Sequence, residues 1–152
     1  MIIRPAQKED AAGVAGVLHD LVIAGKRSKR HDLEFALAHY ITHLNKIECH
    51  VAESEDGRIL GFQSIKLAKS GNEYGAAAGW ALIGTHITPK AARRGIGKAL
   101  FAFTLRAARK AHVPAIEAFI GQSNLAGQAY YDALGFVDYR RTEDAICKSF
   151  NL

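Results

Sequence analysis

The chain has 152 residues, a formal charge of +5, 49% hydrophobic and 23% charged residues. That mixture fits one folded domain of ordinary size and excludes collagen-like, low-complexity and wholly disordered classes. The excess of positive charge leaves two ligand classes open at the outset, nucleic acids and small anions. Ile2 and Ile3 lead to Arg4-Pro5, a short strand. From Lys8 a helical pattern runs through Ala11, Val14, Leu18, Leu21 and Val22 and stops near Gly25. The segment Lys26 to His31 (KRSKRH) reads as a solvated basic loop. It has no interleaved aromatic residues of the kind a nucleic-acid stacking platform needs. Asp32 is placed to cap a second helix whose apolar stripe is Leu33, Leu37, Tyr40, Ile41 and Leu44. His50 to Ser54 and Ile59 to Lys66 read as a hairpin around Glu55-Asp56-Gly57. Trp80 to Ile87 is apolar on both faces, which predicts a central strand.

Beyond Thr88 to Arg94 the period becomes helical through Ile96, Leu100, Phe103, Ala107 and Ala111. Ala115 to Ile120 is a further apolar strand, and Asn124 to Leu134 a helix stopped by Gly135. Val137 to Arg141 and Ala145 to Phe150 are the last two strands. No linker or repeat divides residues 1–152, so one mixed α/β domain around a single sheet is expected, with some parallel pairs where the two late helices cross over. Cys49 and Cys147 show no metal or redox spacing and read as free thiols of a reducing compartment. His39 and His43 stand four apart, but Tyr40 occupies the place of the HExxH glutamate, so no metal site is expected. No stretch is long and apolar enough for a membrane span or a signal peptide core, and a cytoplasmic protein is the expectation.

The segment from Thr85 to Phe101, THITPKAARRGIGKALF, carries the chemistry. A strand ends, a basic loop follows, and Gly95-Ile96-Gly97 opens a helix. Helix N-termini offer unpaired N–H groups and partial positive charge. Glycines let an anion approach, and Arg93, Arg94 and Lys98 add full charges. This pattern suits a diphosphate. It is neither a P-loop, which needs GxxxxGK[ST], nor a dinucleotide fingerprint, whose third glycine would fall on Leu100.

This junction resembles the signature of the GNAT superfamily of N-acetyltransferases, Q/R-x-x-G-x-G/A after a strand ending V-x-P. Here the residues are Ile87-Thr88-Pro89 followed by AARRGIGKAL. With the glycines aligned, Ala92 occupies the leading Gln or Arg position; either the adjacent Arg93 and Arg94 supply the charge, or the frame Arg94-Gly95-Ile96-Gly97-Lys98-Ala99 fits the pattern instead. A second family signature, N-x-x-A/G-x-x-x-Y-x-x-x-G-F, is matched by Asn124, Gly127, Tyr131, Gly135 and Phe136. The resemblance extends over the whole chain. It implies a mixed central sheet of about six to seven strands flanked by four helices, with a V-shaped splay between two central parallel strands.

The resemblance further implies acetyl-CoA as donor. Its pyrophosphate would lie on the amides from Arg94 to Ala99, among them Gly95, Ile96, Gly97 and Lys98. Its pantetheine arm would lie along His86, Ile87 and Thr88 and meet Asn124. Tyr131 matches the family's general acid, since a tyrosine of ordinary pKa about 10 can protonate a thiolate of about 8.5. His86, the one titratable residue on the central strand, is the candidate base, with water as the other candidate. The N–H of Ile87 would meet the oxyanion. The acceptor would be a small-molecule amine or a protein N-terminus. Its pocket would come from the first two helices and the loop near residues 70–78, with Glu34, Glu73 and Glu117 as candidate contacts. Homodimers are common in the family. A coenzyme-binding module without chemistry, or a nucleic-acid binder, are the other readings.

Overall fold

The computed structural model describes residues 1–152. Its centre is one seven-stranded sheet built from β1 (Ile2–Pro5), β2 (Lys46–Glu53), β3 (Ile59–Leu67), β4 (Ala81–Ile87), β5 (Ala115–Gly121), β6 (Val137–Arg141) and β7 (Ala145–Asn151). The spatial order is β1-β2-β3-β4-β5-β7-β6, so β4 is central, as its two-sided apolar pattern predicts. Four helices flank the sheet: α1 (Ala11–Ile23), α2 (Leu33–Ala36), α3 (Ile96–Lys110) and α4 (Leu125–Leu134). None is long and apolar enough to cross a membrane.

Alternation along the strands divides the core in two. Phe62, Val51 and Cys49 point to one face and pack with Val14, Val17 and Leu18 of α1 and with Ala36, Tyr40 and Ile41. Ile65, Ile83, Ile116, Ala118 and Ile120 point to the other face, against Phe101 and Ala108 of α3 and Tyr131 of α4. A third cluster seats Ile96 and Leu100 of α3 on Ala52, beside Ile87. Both cysteines are free and buried.

Three details differ from the sequence expectation. Only β4 and β5 pair in parallel; β7 inserts between β5 and β6, because the tight turn after β6 makes a hairpin that is antiparallel to both neighbours. The helix capped by Asp32 is short. The Asp32 carboxylate accepts from the Phe35 N–H at 3.1 Å, but after one turn the backbone widens into a π-turn over Leu37–Ile41, closed by Thr42 N–H to the Leu37 carbonyl at 2.8 Å. The widening brings Tyr40 and Ile41 together into the core and leaves Leu44 95% exposed, outside the predicted stripe. On α3 the buried face is Ile96, Leu100, Phe101, Thr104 and Ala108, so Phe103 lies at its margin, where it meets His50 and Arg106.

Two buried charges fasten the β5–β7–β6 side. Lys148 reaches Asp132 of α4 at 2.6 Å and also Asp138 of β6. Glu117, on β5, is fully buried and receives Arg140 in a two-pronged pair at 2.8 and 2.9 Å, together with the Tyr139 hydroxyl. The expectation that Glu117 contacts an acceptor is therefore corrected: its carboxylate is already committed to Arg140. Removing the partner of a buried charge is far more costly than removing an exposed pair. Arg140→Ala is expected to lower the unfolding free energy by about 3 kcal/mol, the lower end for a buried pair because Arg140 is partly exposed. Urea denaturation checks this, and a loss below about 1 kcal/mol would show that Glu117 finds another partner.

Candidate active site

The site begins where the sheet opens. β4 and β5 pair through Ala81↔Ile116, Leu82↔Glu117 and Ile83↔Ala118 and then separate. β4 stays on β3 up to Gly61↔Ile87, while β5 stays on β7 up to Gly121↔Ala145. The expected V-shaped splay is thus present. Backbone alternation decides which groups face it. The Thr88 N–H donates to the Leu60 carbonyl at 2.8 Å, so the even-numbered residues of this stretch, His86 and Thr88, turn their backbone to β3. Ile87 and Thr85 turn theirs into the gap. Of the three backbone contacts expected along the strand, Ile87 alone has that orientation, and Thr85 joins it. The Thr88 hydroxyl donates to Asp20 of α1 at 2.7 Å.

The anion cradle lies just beyond. After the short turn Pro89–Ala91, Arg93 takes φ = 62° and Gly95 φ = 75°, and α3 starts at Ile96. Positive φ is natural at Gly95 and unusual at Arg93. The amides of Arg93, Arg94, Gly95, Ile96, Gly97 and Lys98 donate to no group of the protein. All six precede the first helical bond, which the Ala99 N–H makes to the Gly95 carbonyl at 3.0 Å. Ala99 is therefore not a free donor, and the row starts one residue earlier than expected, at Arg93. A helix end ordinarily frees four such groups, and two more in a loop with alternating backbone handedness make a deeper anion site. Arg93, Arg94 and Lys98, which belong to this row, are exposed.

Gly97 has a further reason to be glycine. A Cβ there would stand 2.6 Å from the Tyr130 ring. The Tyr130 hydroxyl donates to the Gly97 carbonyl at 2.7 Å and accepts from the Gln63 amide at 2.9 Å. Gln63 also donates to the Thr85 hydroxyl at 2.9 Å, and that hydroxyl meets the Tyr131 hydroxyl at 2.8 Å. Both adjacent tyrosines therefore converge on one network at the gap. Burial raises both phenol pKa values, Tyr130 to about 12 and Tyr131 beyond that. Asn124 caps α4: its Oδ1 accepts from the Gly127 N–H at 2.9 Å, leaving its amide nitrogen without a protein partner. A Cβ at Gly127 would stand 2.5 Å from the Asn124 amide, so a larger residue there would have to displace that side chain.

On the opposite face of the sheet the gap opens into a cavity of about 510 Å³. Phe35, His39 and Tyr40 form its roof, Arg27, Lys29 and Arg30 one edge, Glu73 and Tyr74 another, and Ser64, Lys66, Gly84, His86 and Phe119 the floor. The loop near residues 70–78 contributes as expected. Of the three candidate glutamates only Glu73 lines the cavity; Glu34 is exposed elsewhere. His86 stacks on Phe62 at 4.8 Å, and its Nε2 lies 3.4 Å from the Arg27 guanidinium. Burial, with Arg27 adding to it, pushes its pKa down to about 3. Its Nδ1 is buried without a partner. The surroundings argue against the base role expected for His86: burial and the Arg27 cation disfavour its protonated form, so the ring takes up a proton poorly at neutral pH.

Sequence reasoning missed Thr85, Gln63 and Tyr130 in the network and Arg27 and Lys66 in the cavity. Gln63 was detectable, as a polar side chain directly after Phe62 inside a largely apolar strand.

The comparisons agree with this geometry. The acetyltransferase (GNAT) family pattern matches residues 17–136. None of the curated proteins matches the sequence. Among solved structures, a GCN5-related N-acetyltransferase from Kribbella flavida superposes with a TM-score of 0.81 at 20% identity, covering 99% of this chain and 97% of that one. The yncA protein from Salmonella typhimurium, solved with its cofactor acetyl-CoA, gives 0.76 at 20% identity over 100% and 94%. The PaiA N-acetyltransferase from Thermoplasma acidophilum, in complex with coenzyme A, gives 0.80 at 18% identity over 99% and 98%. A match to the family pattern across most of the chain, on a sheet that opens between β4 and β5 beside a row of free amides, places this chain in the GNAT family of acetyltransferases.

Proposed function

We propose that the chain transfers an acetyl group from acetyl-CoA to a primary amine by direct attack, with no acyl-enzyme. The observation that carries this reading is the row of six consecutive amides without a protein acceptor at the mouth of α3, next to the unpaired edge of β4. Two of the similar structures were solved with acetyl-CoA or coenzyme A, which supports the same donor here.

Acetyl-CoA supplies an acyl group already activated as a thioester. The amides from Arg93 to Lys98, helped by the Arg93, Arg94 and Lys98 side chains, would hold its diphosphate. Thr85 and Ile87 offer backbone groups to the pantetheine arm in the gap, and the Asn124 amide nitrogen is a further donor. The Ile87 N–H, turned into the gap, would meet the negative charge that develops on the carbonyl oxygen. Gln63 donates to Thr85, which frees the Thr85 proton for the Tyr131 oxygen. The Tyr131 proton is then available to the departing sulfur.

The thiols support direct transfer. Burial pushes the Cys49 thiol up to about 12 and raises that of Cys147, and neither lines the cavity. A thiol held in that form is a poor nucleophile for a thioester. With His86 neutral and already contacted by Arg27, the ammonium proton of the acceptor leaves through water in the open cavity.

Three measurements test these assignments. Isothermal titration is expected to show 1:1 binding of acetyl-CoA, and no heat at millimolar cofactor would overturn the reading. Tyr131→Phe is expected to lower kcat by about 10²-fold or more while leaving acetyl-CoA affinity unchanged; an unaltered kcat would remove Tyr131 as the acid. The His86 ring resonances are expected to hold still between pH 5 and 8 in a proton NMR titration, since the ring stays neutral down to about pH 3. A midpoint near 6.5 would restore it as a candidate base.

A further inference from the structure

The cavity on the α1–α2 face is unbalanced in charge. Arg27, Lys29, Arg30 and Lys66 line it against a single carboxylate, Glu73 at the exposed rim. Arg30 is neutralised by Asp32, with two hydrogen bonds at 2.9 Å. Arg27 and Lys66 belong to no ion pair of the structure. Arg27 donates to the Arg30 carbonyl at 2.9 Å and lies against His86, which fixes its guanidinium over the floor of the cavity with N–H groups to spare. The Lys66 ammonium makes no hydrogen bond and rests 5.6 Å from the centre of the Tyr40 ring. Both residues are half-buried.

A partly desolvated cation without a counterion costs free energy that an incoming anion recovers. The cost is visible at Lys66, whose pKa burial pushes down to about 8. The two histidines of the cavity do not share the task. Burial pushes His39 down to about 4, so both are neutral and add no charge of their own at neutral pH.

We propose that the acceptor amine also carries a carboxylate, held by Arg27 and Lys66, and that it is a free amino acid with an apolar side chain. This rests on the acetyl-transfer reading above and narrows its substrate. The volume suits a small molecule. Phe35, Tyr74 and Phe119 give the side chain apolar walls, and Glu73 at the rim attracts the ammonium. A polyamine meets two cations where it needs anions, and a simple alkylamine leaves both unpaired.

The test compares leucine and phenylalanine with their carboxamides, which keep the amine and the shape and lose the negative charge. Initial rates of thiol release are measured with acetyl-CoA for the wild type, Arg27→Gln and Lys66→Met. The wild type is expected to favour each acid over its amide by about 10- to 100-fold in kcat/KM, the range for a charge-assisted contact. In each variant that ratio is expected to fall toward one, with acetyl-CoA affinity and Tm retained. Equal rates on acid and amide in the wild type overturn the proposal. So does turnover confined to polyamines or to peptide N-termini, or acetyl-CoA binding with no acetylation of either acid. Absence of acetyl-CoA binding overturns the acetyl-transfer reading itself, which separates the two failures.

Discussion

The rest of the site depends on one departure from sheet pairing. A strand in the middle of a sheet normally bonds on both sides, and unpaired backbone groups away from water are costly. Beyond Ile83, β4 keeps only its bonds to β3, while β5 keeps only its bonds to β7. Because each strand is held by its outer neighbour, the gap persists without any element to fill it. Thr85 and Ile87 then present backbone donors and acceptors inside the domain. The elements on either side are fitted to that gap. On one face two tyrosines and Gln63 close the network around Thr85. On the other, aromatic rings and cations enclose a cavity.

The placement of charge follows the same division. Arg4, Arg140 and Lys148 are structural: each is paired with carboxylates that fix one part of the sheet to another. Arg93, Arg94 and Lys98 gather at the mouth of α3 around amides that have no acceptor. Arg27 and Lys66 sit in the cavity without counterions. Five of the twenty Lys and Arg residues thus stand at two separate anion-seeking places on one molecule.

Much of this was legible in the residues. The change from strand to helical period around Gly95, the central position of β4, the cap at Asp32 and the stop at Gly135 all follow from local chemistry, and the structure has them. What was not legible depends on contacts between distant segments. His86 reads as an ordinary histidine until Phe62 and Arg27 are brought against it from β3 and the α1–α2 loop. Glu117 reads as an available carboxylate until Arg140 arrives from β6. Lys26 to His31 reads as a solvated loop because nothing local shows that Arg27 folds back over β4. The π-turn at Leu37–Ile41 escaped for a different reason. Its apolar residues fit a regular helical stripe equally well, and only the packing of both Tyr40 and Ile41 selects the wider turn.

The two halves of the site lie on opposite faces of the sheet, joined only through the gap between β4 and β5. The row of amides belongs to the α3 side, and the cavity to the side of α1 and α2. Each compartment therefore has its own route to solvent. A molecule in one does not have to leave before another enters or departs from the second, so steric blocking imposes no fixed order of arrival or exit. Any order seen in the kinetics must come from a change in affinity, and thermodynamic reciprocity then requires each compartment to strengthen or weaken the other by the same factor.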